Sequence, residues 1–354
     1  MQATAGVDCH KHSHTIAFID SVGKVLETVE VSTDEAGYTR AIEAGRRVGA
    51  ARWGLESTGS YGADFASRLD GAGFDVYEVP GLVTKRQRKS SSRHGKSDVH
   101  DAIAIGNAVL MEGERLARFY PSAARETLRL LYDQRDRFVV QRSVAKNRLH
   151  SLTLRLRMKS APSDLRSERA LEKISGAARV IARDNAVIGT LLDELHWTIS
   201  DIRTANKRVK EIELRVADAI KDVAPELLDL HGVSAVVAAG IVGHSGSLRN
   251  CRNASAFAMR CGTAPIPCSS GRSSTVRLSL GGNRQLNRLL HVIALVQTRT
   301  QGHDGRLYYE RKRAEGKTHK AAFRALKRQL STIVYYRLAP TGARLENVIL
   351  DLAA

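Results

Sequence analysis

The first 110 residues constrain the fold more than anything else in the chain. "TAGVDCH", "SHTIAFID" and "GKVLETVEVS" are three short apolar runs in succession, with a tight turn at Ser21 to Gly23 between the last two. They predict three consecutive strands. "DEAGYTRAIEAGRRVG" follows as a helix opened by Asp34 or Thr33, then "ARWGLE" as a strand, "SYGADFASRLDGAG" as a helix and "FDVYEVP" as a strand. A basic loop and a helix beginning near Asp98 complete the segment.

The order β-β-β-α-β-α-β-α is that of a ribonuclease-H-like α/β domain, a mixed sheet with helices on its faces. It locates the acids. Asp8 ends or interrupts the first strand and Glu56 ends the fourth, and strand ends face the functional crevice of such a sheet. Asp98 and Asp101, three apart, share one face of the closing helix. Four carboxylates in one cleft repel unless divalent cations neutralise them. Mg2+ prefers hard oxygen ligands, and two such ions can stabilise the attacking and leaving oxygens of a phosphodiester displacement. The competing reading is capping, since first-turn acids complement the helix dipole. Asp98 alone reads as a cap and Glu56 alone as a surface acid; the set favours the metal site.

Charge points the same way. The chain has 55 Lys and Arg against 37 Asp and Glu, a net charge of +18. Such an excess makes nucleic acid the leading partner. A basic membrane-surface protein is the competitor, but no apolar stretch approaches the roughly 20 residues a span requires. The run Lys85, Arg86, Arg88, Lys89, Arg93 and Lys96 holds no acid and, beside a metal cleft, reads as a clamp on the phosphate backbone rather than a merely solvated loop. Cys9, Cys251, Cys261 and Cys268 form no C-x-x-C pair, which argues for a reducing cytoplasm and against a zinc module. His10, His12 and His14 alternate beside Cys9; in a strand they would share one face, a weak zinc signal.

From Glu126 to Met158, apolar residues including Leu128, Leu131, Phe138, Ala145 and Leu149 recur at helical spacing, with Arg135 and Arg142 in the same stripe. Leu195, Ile202, Val209, Val216 and Val223 recur at steps of seven. Both predict coiled-coil-type helices, packed as a hairpin or across subunits, joined by a polar segment that bends near Pro162. They read as a dimerisation and spacing arm, with an ordinary helical core as the alternative.

Further on, "LLDLHGVSAVVAAGIVGHSG" has the pattern of a helix-hairpin-helix, in which Gly232 would let backbone N–H groups approach a phosphate; a plain helix-helix turn is the alternative. "CGTAPIPCSSGRSSTVRLSLGGNRQLNRLLH" combines a serine cluster, a strand-like "TVRLSL" and a "GGN" that caps a basic helix. No Ser-His-Asp constellation activates a serine there. Arg272, Arg277, Arg284 and Arg288 would supply positive charge around a phosphate.

Together these motifs resemble one family. "GVDCHK", "WGLESTGSYG" and "GKSDVHDAIAI" look like the acidic motifs of the DEDD transposases of bacterial and archaeal insertion sequences, the IS110 group of bridge-RNA-guided recombinases. "LHGVSAVVAAGIVGHSGSL", "CGTAPIPCSSG", "GGNRQLNRLLH" and "YYERKRAEGKTHKAAFRALKRQLSTIVYYRL" look like its second domain, in order. The resemblance implies a RuvC-like domain over 1–122, a coiled-coil helical arm over 123–224 and a mostly helical transposase domain over 225–354. It implies that Asp8, Glu56, Asp98 and Asp101 bind Mg2+, as two ions, and that Ser270 is the nucleophile, with Ser269 beside it as the alternative. Such a serine would form a covalent phosphoserine link to DNA, and the tetrad would activate it without a histidine base. Serine and tetrad would act together, from one subunit or two. Asn283 joins the expected nucleic-acid contacts, and Asn287 stands where many relatives carry Arg.

The expected function is therefore an RNA-guided DNA recombinase or transposase, with target and donor DNA and a non-coding guide RNA as partners. A dimer or tetramer, nucleoid-associated in a bacterial or archaeal cytoplasm, completes the expectation. A RuvC-type endonuclease without a covalent step, and a non-catalytic nucleic-acid-binding protein, are the alternatives.

Overall fold

The computed structural model describes residues 3–90, 97–158, 165, 167–270, 273–278 and 281–351, with backbone alone at 88–90, 114, 267–270, 273–278 and 341–351. The chain divides into two compact units, Met1–Pro121 and Ser122–Ala354.

The first unit is built on β1 (Ala3–Cys9), β2 (Ser13–Ile19) and β3 (Val25–Ser32), the three runs of the opening sequence. β1 and β2 are buried almost throughout, whereas β3 alternates and leaves Leu26, Thr28 and Glu30 in water on one face. Asp20 makes the turn before β3, accepting hydrogen bonds from the backbone N–H groups of Val22 and Lys24. α1 (Glu35–Val48) starts at Asp34, whose carboxylate accepts from Gly37 N at 2.8 Å. β4 (Ala50–Leu55), α2 (Ala63–Gly71) and β5 (Asp75–Glu78) follow. The run expected to be a basic loop is instead helical: α3 spans Gly81–Ser90. Pro80 starts it, its carbonyl accepting from Val83 N and Thr84 N, and no Gly or Pro interrupts the nine residues after Gly81. α4 (Asp98–Glu112) and the two-residue β6 (Ala117–Arg118) complete the unit.

The sheet order is β3-β2-β1-β4-β5-β6, with β4 and β5 parallel to β1 and the others antiparallel to their neighbours. This is the ribonuclease-H-like topology. On one face, Val7, Trp53 and Leu55 pack against Tyr38 of α1 and Phe65 of α2. α4 lies on the other.

The second unit is mostly helical. α5 (Ala123–Arg155) and α7 (Ala186–Val223) are about 50 Å or more long at 1.5 Å per residue. They form an intrachain antiparallel hairpin, since Arg135 pairs with Glu213, Arg142 with Asn206 and Arg148 with Glu194. The two arginines of the apolar stripe thus reach across to polar partners. α6 (Glu168–Arg179) lies in the segment read as a bend and packs Leu171 and Ile174 against Leu149 of α5 and Leu195 of α7. At the other end Leu128, Val216, Val237 and Leu290 belong to one core. It gathers α8 (Pro225–Leu228), α9 (Ala235–Ser245), α10 (Ala254–Arg260), α11 (Arg284–Arg299) and α13 (His319–Asp351). β7 (Pro265–Ser270) and β8 (Ser273–Leu278) form a hairpin before α11, and α12 (Asp304–Ala314) precedes α13. No helix among the described residues is long and apolar enough to cross a membrane.

Candidate active site

Glycines set the position of the acids. Gly6 of β1 and Gly54 of β4 are partners in parallel register. A Cβ on Gly6 would stand 2.1 Å from Ala102 O and from Gly106 N, and one on Gly54 would stand 2.4 Å from Val109 Cγ2. α4 therefore rests on the sheet where two adjacent strands lack side chains. Two residues beyond Gly6, on the same face by strand periodicity, comes Asp8, and two beyond Gly54, just past the end of β4, comes Glu56. The start of α4 overhangs that strand end.

Asp8 and Asp98 meet there through one side chain. His10 Nε2 lies 3.2 Å from Asp8 Oδ2 and 3.4 Å from Asp98 Oδ1. Among the described residues, Asp8, His10 and Asp98 are a group able to hold a metal ion, their ligand atoms all within 4.8 Å of one another. The Asp8 side chain is 13% exposed and that of Asp98 58%. Burial raises the pKa of Asp8; His10 opposes this, and the charges of Asp101 and Asp98 add to it. Asp101, buried in the first turn of α4, is thus within electrostatic reach of Asp8. Glu56 bears on the same corner: burial first, then the charges of Asp8 and Glu56, push the Cys9 thiol up to about 12. Cys9 is an inert filler, not a nucleophile. The Glu56 carboxylate lies over the start of α3, where a Cβ on Gly81 would stand 2.4 Å from its Oε1.

The cap of α4 is Ser97, whose Oγ accepts from His100 N at 3.3 Å. Asp98 occupies the first helical position and leaves the capping bond to the serine. The three histidines do not share a strand face. His10 follows β1 and turns to the acids, His12 is exposed, and His14 is buried on β2, stacked 5.9 Å from Tyr38 on the opposite side of the sheet. The chain turns between residues 10 and 12, which breaks the alternation. Sequence reasoning missed His10 as a neighbour of the acids and Gly81 as the seat of Glu56. The Gly6–Asp8 and Gly54–Glu56 spacings were a readable signal for the α4 crossing.

The expected nucleic-acid contacts fall into several groups. Lys85 is exposed on α3, and Arg86 is ion-paired with Glu112. Arg88 and Lys89 are in α3 with backbone alone described; Arg93, Lys96 and Arg272 lie outside the described residues. Ser270 ends β7 opposite Ser273, Ser269 pairs with Ser274, and Arg277 lies in β8; all belong to the backbone-only stretch. Gly232, with φ of 90°, approaches α11, where a Cβ would meet Val296 Cβ at 3.2 Å. Asn283 caps α11, accepting from Gln285 N and Leu286 N. Arg284 is exposed. Arg288 donates to Tyr132 Oη at 2.6 Å and pairs with Asp136 at 3.0 Å. Asn287 donates to Cys261 O and Gly262 O, anchoring the turn after α10.

Comparison with known proteins follows the two units. A family model for DEDD-type IS110 proteins, described as "Transposase", matches residues 5–157, and another, described as "Transposase IS116/IS110/IS902 family", matches residues 224–310. The chain is similar to the 44.8 kDa protein of insertion element IS116 from Streptomyces clavuligerus, 24% identical over 374 residues and 94% of each chain. It is also 24% identical to the 42 kDa protein of insertion element IS900 from Mycobacterium paratuberculosis, over 94% of this chain and 95% of that one. A solved structure of Thermus thermophilus RuvC in complex with a Holliday junction substrate aligns with a TM-score of 0.29 at 13% identity, covering 34% of this chain and 100% of that one. The first family match contains all four acids and the second contains Ser270, in chain order, and the curated relatives extend over nearly the full length. The chain therefore belongs to the IS116/IS110/IS902 family of transposases.

Proposed function

We propose that this transposase cuts and rejoins DNA at a phosphodiester held against Asp8, Glu56, Asp98 and Asp101, with Ser270 as the attacking group. The observation that carries the reading is the convergence of Asp8, Asp98 and Asp101 at the end of β1, where burial and then the charges of Asp101 and Asp98 push Asp8 up against the opposing His10. An all-oxygen donor set under mutual repulsion fits a hard divalent cation such as Mg2+, taken as two ions. Bound there, such ions would polarise the phosphodiester and stabilise its attacking and leaving oxygens. Asp8 and Asp98 would be ligands from a strand end and a helix start, with Asp101 and Glu56 on either side. His10, half exposed, is a side chain that a cation can displace from between them.

The Ser270 hydroxyl oxygen attacks phosphorus as the P–O bond to one strand breaks, its proton passing to the departing strand oxygen. A hydroxyl of a second strand later attacks the phosphoserine, forming the new P–O bond and returning a proton to Ser270. The serine and the acids act on one phosphate, from one subunit or from two in a homo-oligomer. A non-coding RNA selects target and donor DNA, and the net charge of +18 suits both polyanions.

Asp8→Ala and Asp98→Ala should each lower cleavage by at least about a thousandfold, roughly 4 kcal/mol of barrier, while DNA binding persists. Cleavage that survives either change overturns the metal site. Ser270→Ala should remove any protein–DNA adduct on a denaturing gel. A persisting adduct moves the nucleophile to Ser269, and cleavage without an adduct in the parent protein replaces the scheme with hydrolysis. RNA-independent choice of target would overturn the guide.

A further inference from the structure

A cavity of about 680 Å³ opens between α11, α12 and α13 of the second unit. Its volume is within the range, about 300–1,000 Å³, of sites that take small molecules. Four rings line it. His291 and Phe323 lie 4.9 Å apart at 52°, and His319 and Phe323 lie 5.9 Å apart at 48°. Tyr309 contributes its ring and shares a 2.7 Å hydrogen bond with His319 Nδ1. These rings are tilted rather than stacked on one another, so ring faces remain for a planar guest.

Around them stand Arg299, Lys320, Arg324 and Lys327, and among the described residues no Asp or Glu lines the cavity. None of the four forms an ion pair among the described residues; Lys327 donates to the neutral Asn287 Oδ1 and Arg324 to Lys320 O. Burial, and then the Lys327 ammonium, hold the His291 imidazole below its ordinary range, and burial lowers Lys327 itself. Uncompensated cations repel one another, and an anion between them relieves the repulsion. An isolated phosphate would need no rings, and an aromatic guest would need no cations. A nucleotide uses both.

We propose that this pocket holds one unpaired nucleotide of a nucleic-acid strand, its base among the rings of His291, His319 and Tyr309 and its phosphates at Lys320 and Arg324. The inference rests on the reading of the chain as a protein that handles nucleic-acid strands. Its test runs with divalent ions chelated, so it can fail while the cleavage scheme stands.

The full chain in EDTA is titrated with fluorescent dT12 and rU12 across a salt series. The exposed pair Lys320→Gln/Arg324→Gln should weaken binding at least about tenfold and reduce the salt slope by about 1.4, two single-strand phosphate contacts at about 0.7 each. His319→Ala should weaken it about tenfold with the slope unchanged, as loss of base stacking does. Lys173→Gln/Lys210→Gln, which removes as much charge from helices elsewhere in the unit, should change affinity by about twofold at most because remote exposed charges are screened. Both pocket variants binding like that control overturns the site. An acidic peptide that displaces the strand, with loss in the lysine–arginine variant alone, overturns the base. A mononucleotide that binds as tightly as either oligomer replaces the strand with a free nucleotide.

Discussion

The strand end of the first unit and the pocket of the second each collect like charges, by opposite means. The acids have short side chains on stiff supports: Asp8 on a buried strand, Asp98 and Asp101 on a helix pressed against that strand at Gly6 and Gly106. The bases have long side chains on helix surfaces, and Arg299, Lys320 and Arg324 are exposed. Repulsion among the acids can therefore relax only over the short reach of an aspartate side chain, whereas lysine and arginine can swing far into water. The difference teaches where each kind of change is felt. Alterations that displace the backbone of the acidic corner should reach stability and chemistry together, and alterations in the basic pocket should reach affinity alone.

The largest expected effect that could break this contrast is that of Gly6→Ala. The added methyl meets Ala102 O and Gly106 N at 2.1 Å, both backbone atoms, so α4 must lift or the strand must shift. A loss of about 3 kcal/mol is expected in urea unfolding, with cleavage reduced in the fraction that remains folded. An unchanged midpoint would mean that α4 can retreat, and the acids would then be no more rigidly held than the bases.

Ser97→Ala sharpens the comparison by separating cap from ligand at the start of α4. Losing the Oγ bond to His100 N should cost about 1 kcal/mol, with cleavage retained. Asp98→Ala should show the reverse. If Ser97→Ala abolished cleavage and Asp98→Ala did not, the helix start would be a purely structural feature.

The smallest effect is a slope. Asp8 is held above its ordinary value of 3.8, first by burial, with His10 opposing and Asp101 and Asp98 adding. Over the interval between 3.8 and that raised value the folded protein keeps a proton that the unfolded chain releases. Ionised Asp8 therefore costs stability at neutral pH, and the cost is relieved as pH falls through the folded value toward 3.8. Urea midpoints of the metal-free protein measured against pH should show this rise, and Asp8→Asn should remove it. A rise that survives Asp8→Asn would place the perturbed carboxyl elsewhere.

Much of the first unit was legible because each of its signals is local. Apolar runs of strand length marked β1 to β5, and Asp34 marked the start of α1. The same locality explains the misses. "GLVTKRQRKS" was read by its charge, yet nothing in it opposes a helix, and α3 forms with Arg86 held by Glu112 from α4. β6 is two residues long and exists through pairing with β5. The heptads of α5 and α7 indicated helices that pack together, but whether within one chain or across two depended on Glu213, Asn206 and Glu194 meeting Arg135, Arg142 and Arg148. Asn283 could be read as the cap of α11, while the engagement of Arg288 by Tyr132 and Asp136 could not, since those partners lie more than 150 residues earlier.

Taken alone, the amino-acid order determined the sequence of strands and helices, the excess of positive charge and the family, because periodicity, composition and motif are properties of neighbours along the chain. Tertiary structure decided how close the acids come. Two glycines on adjacent strands let α4 settle onto the sheet, and only that contact brings the charges of Asp101 and Asp98 to bear on the buried Asp8. Coulomb energy depends on separation in space, and separation in space is what folding sets.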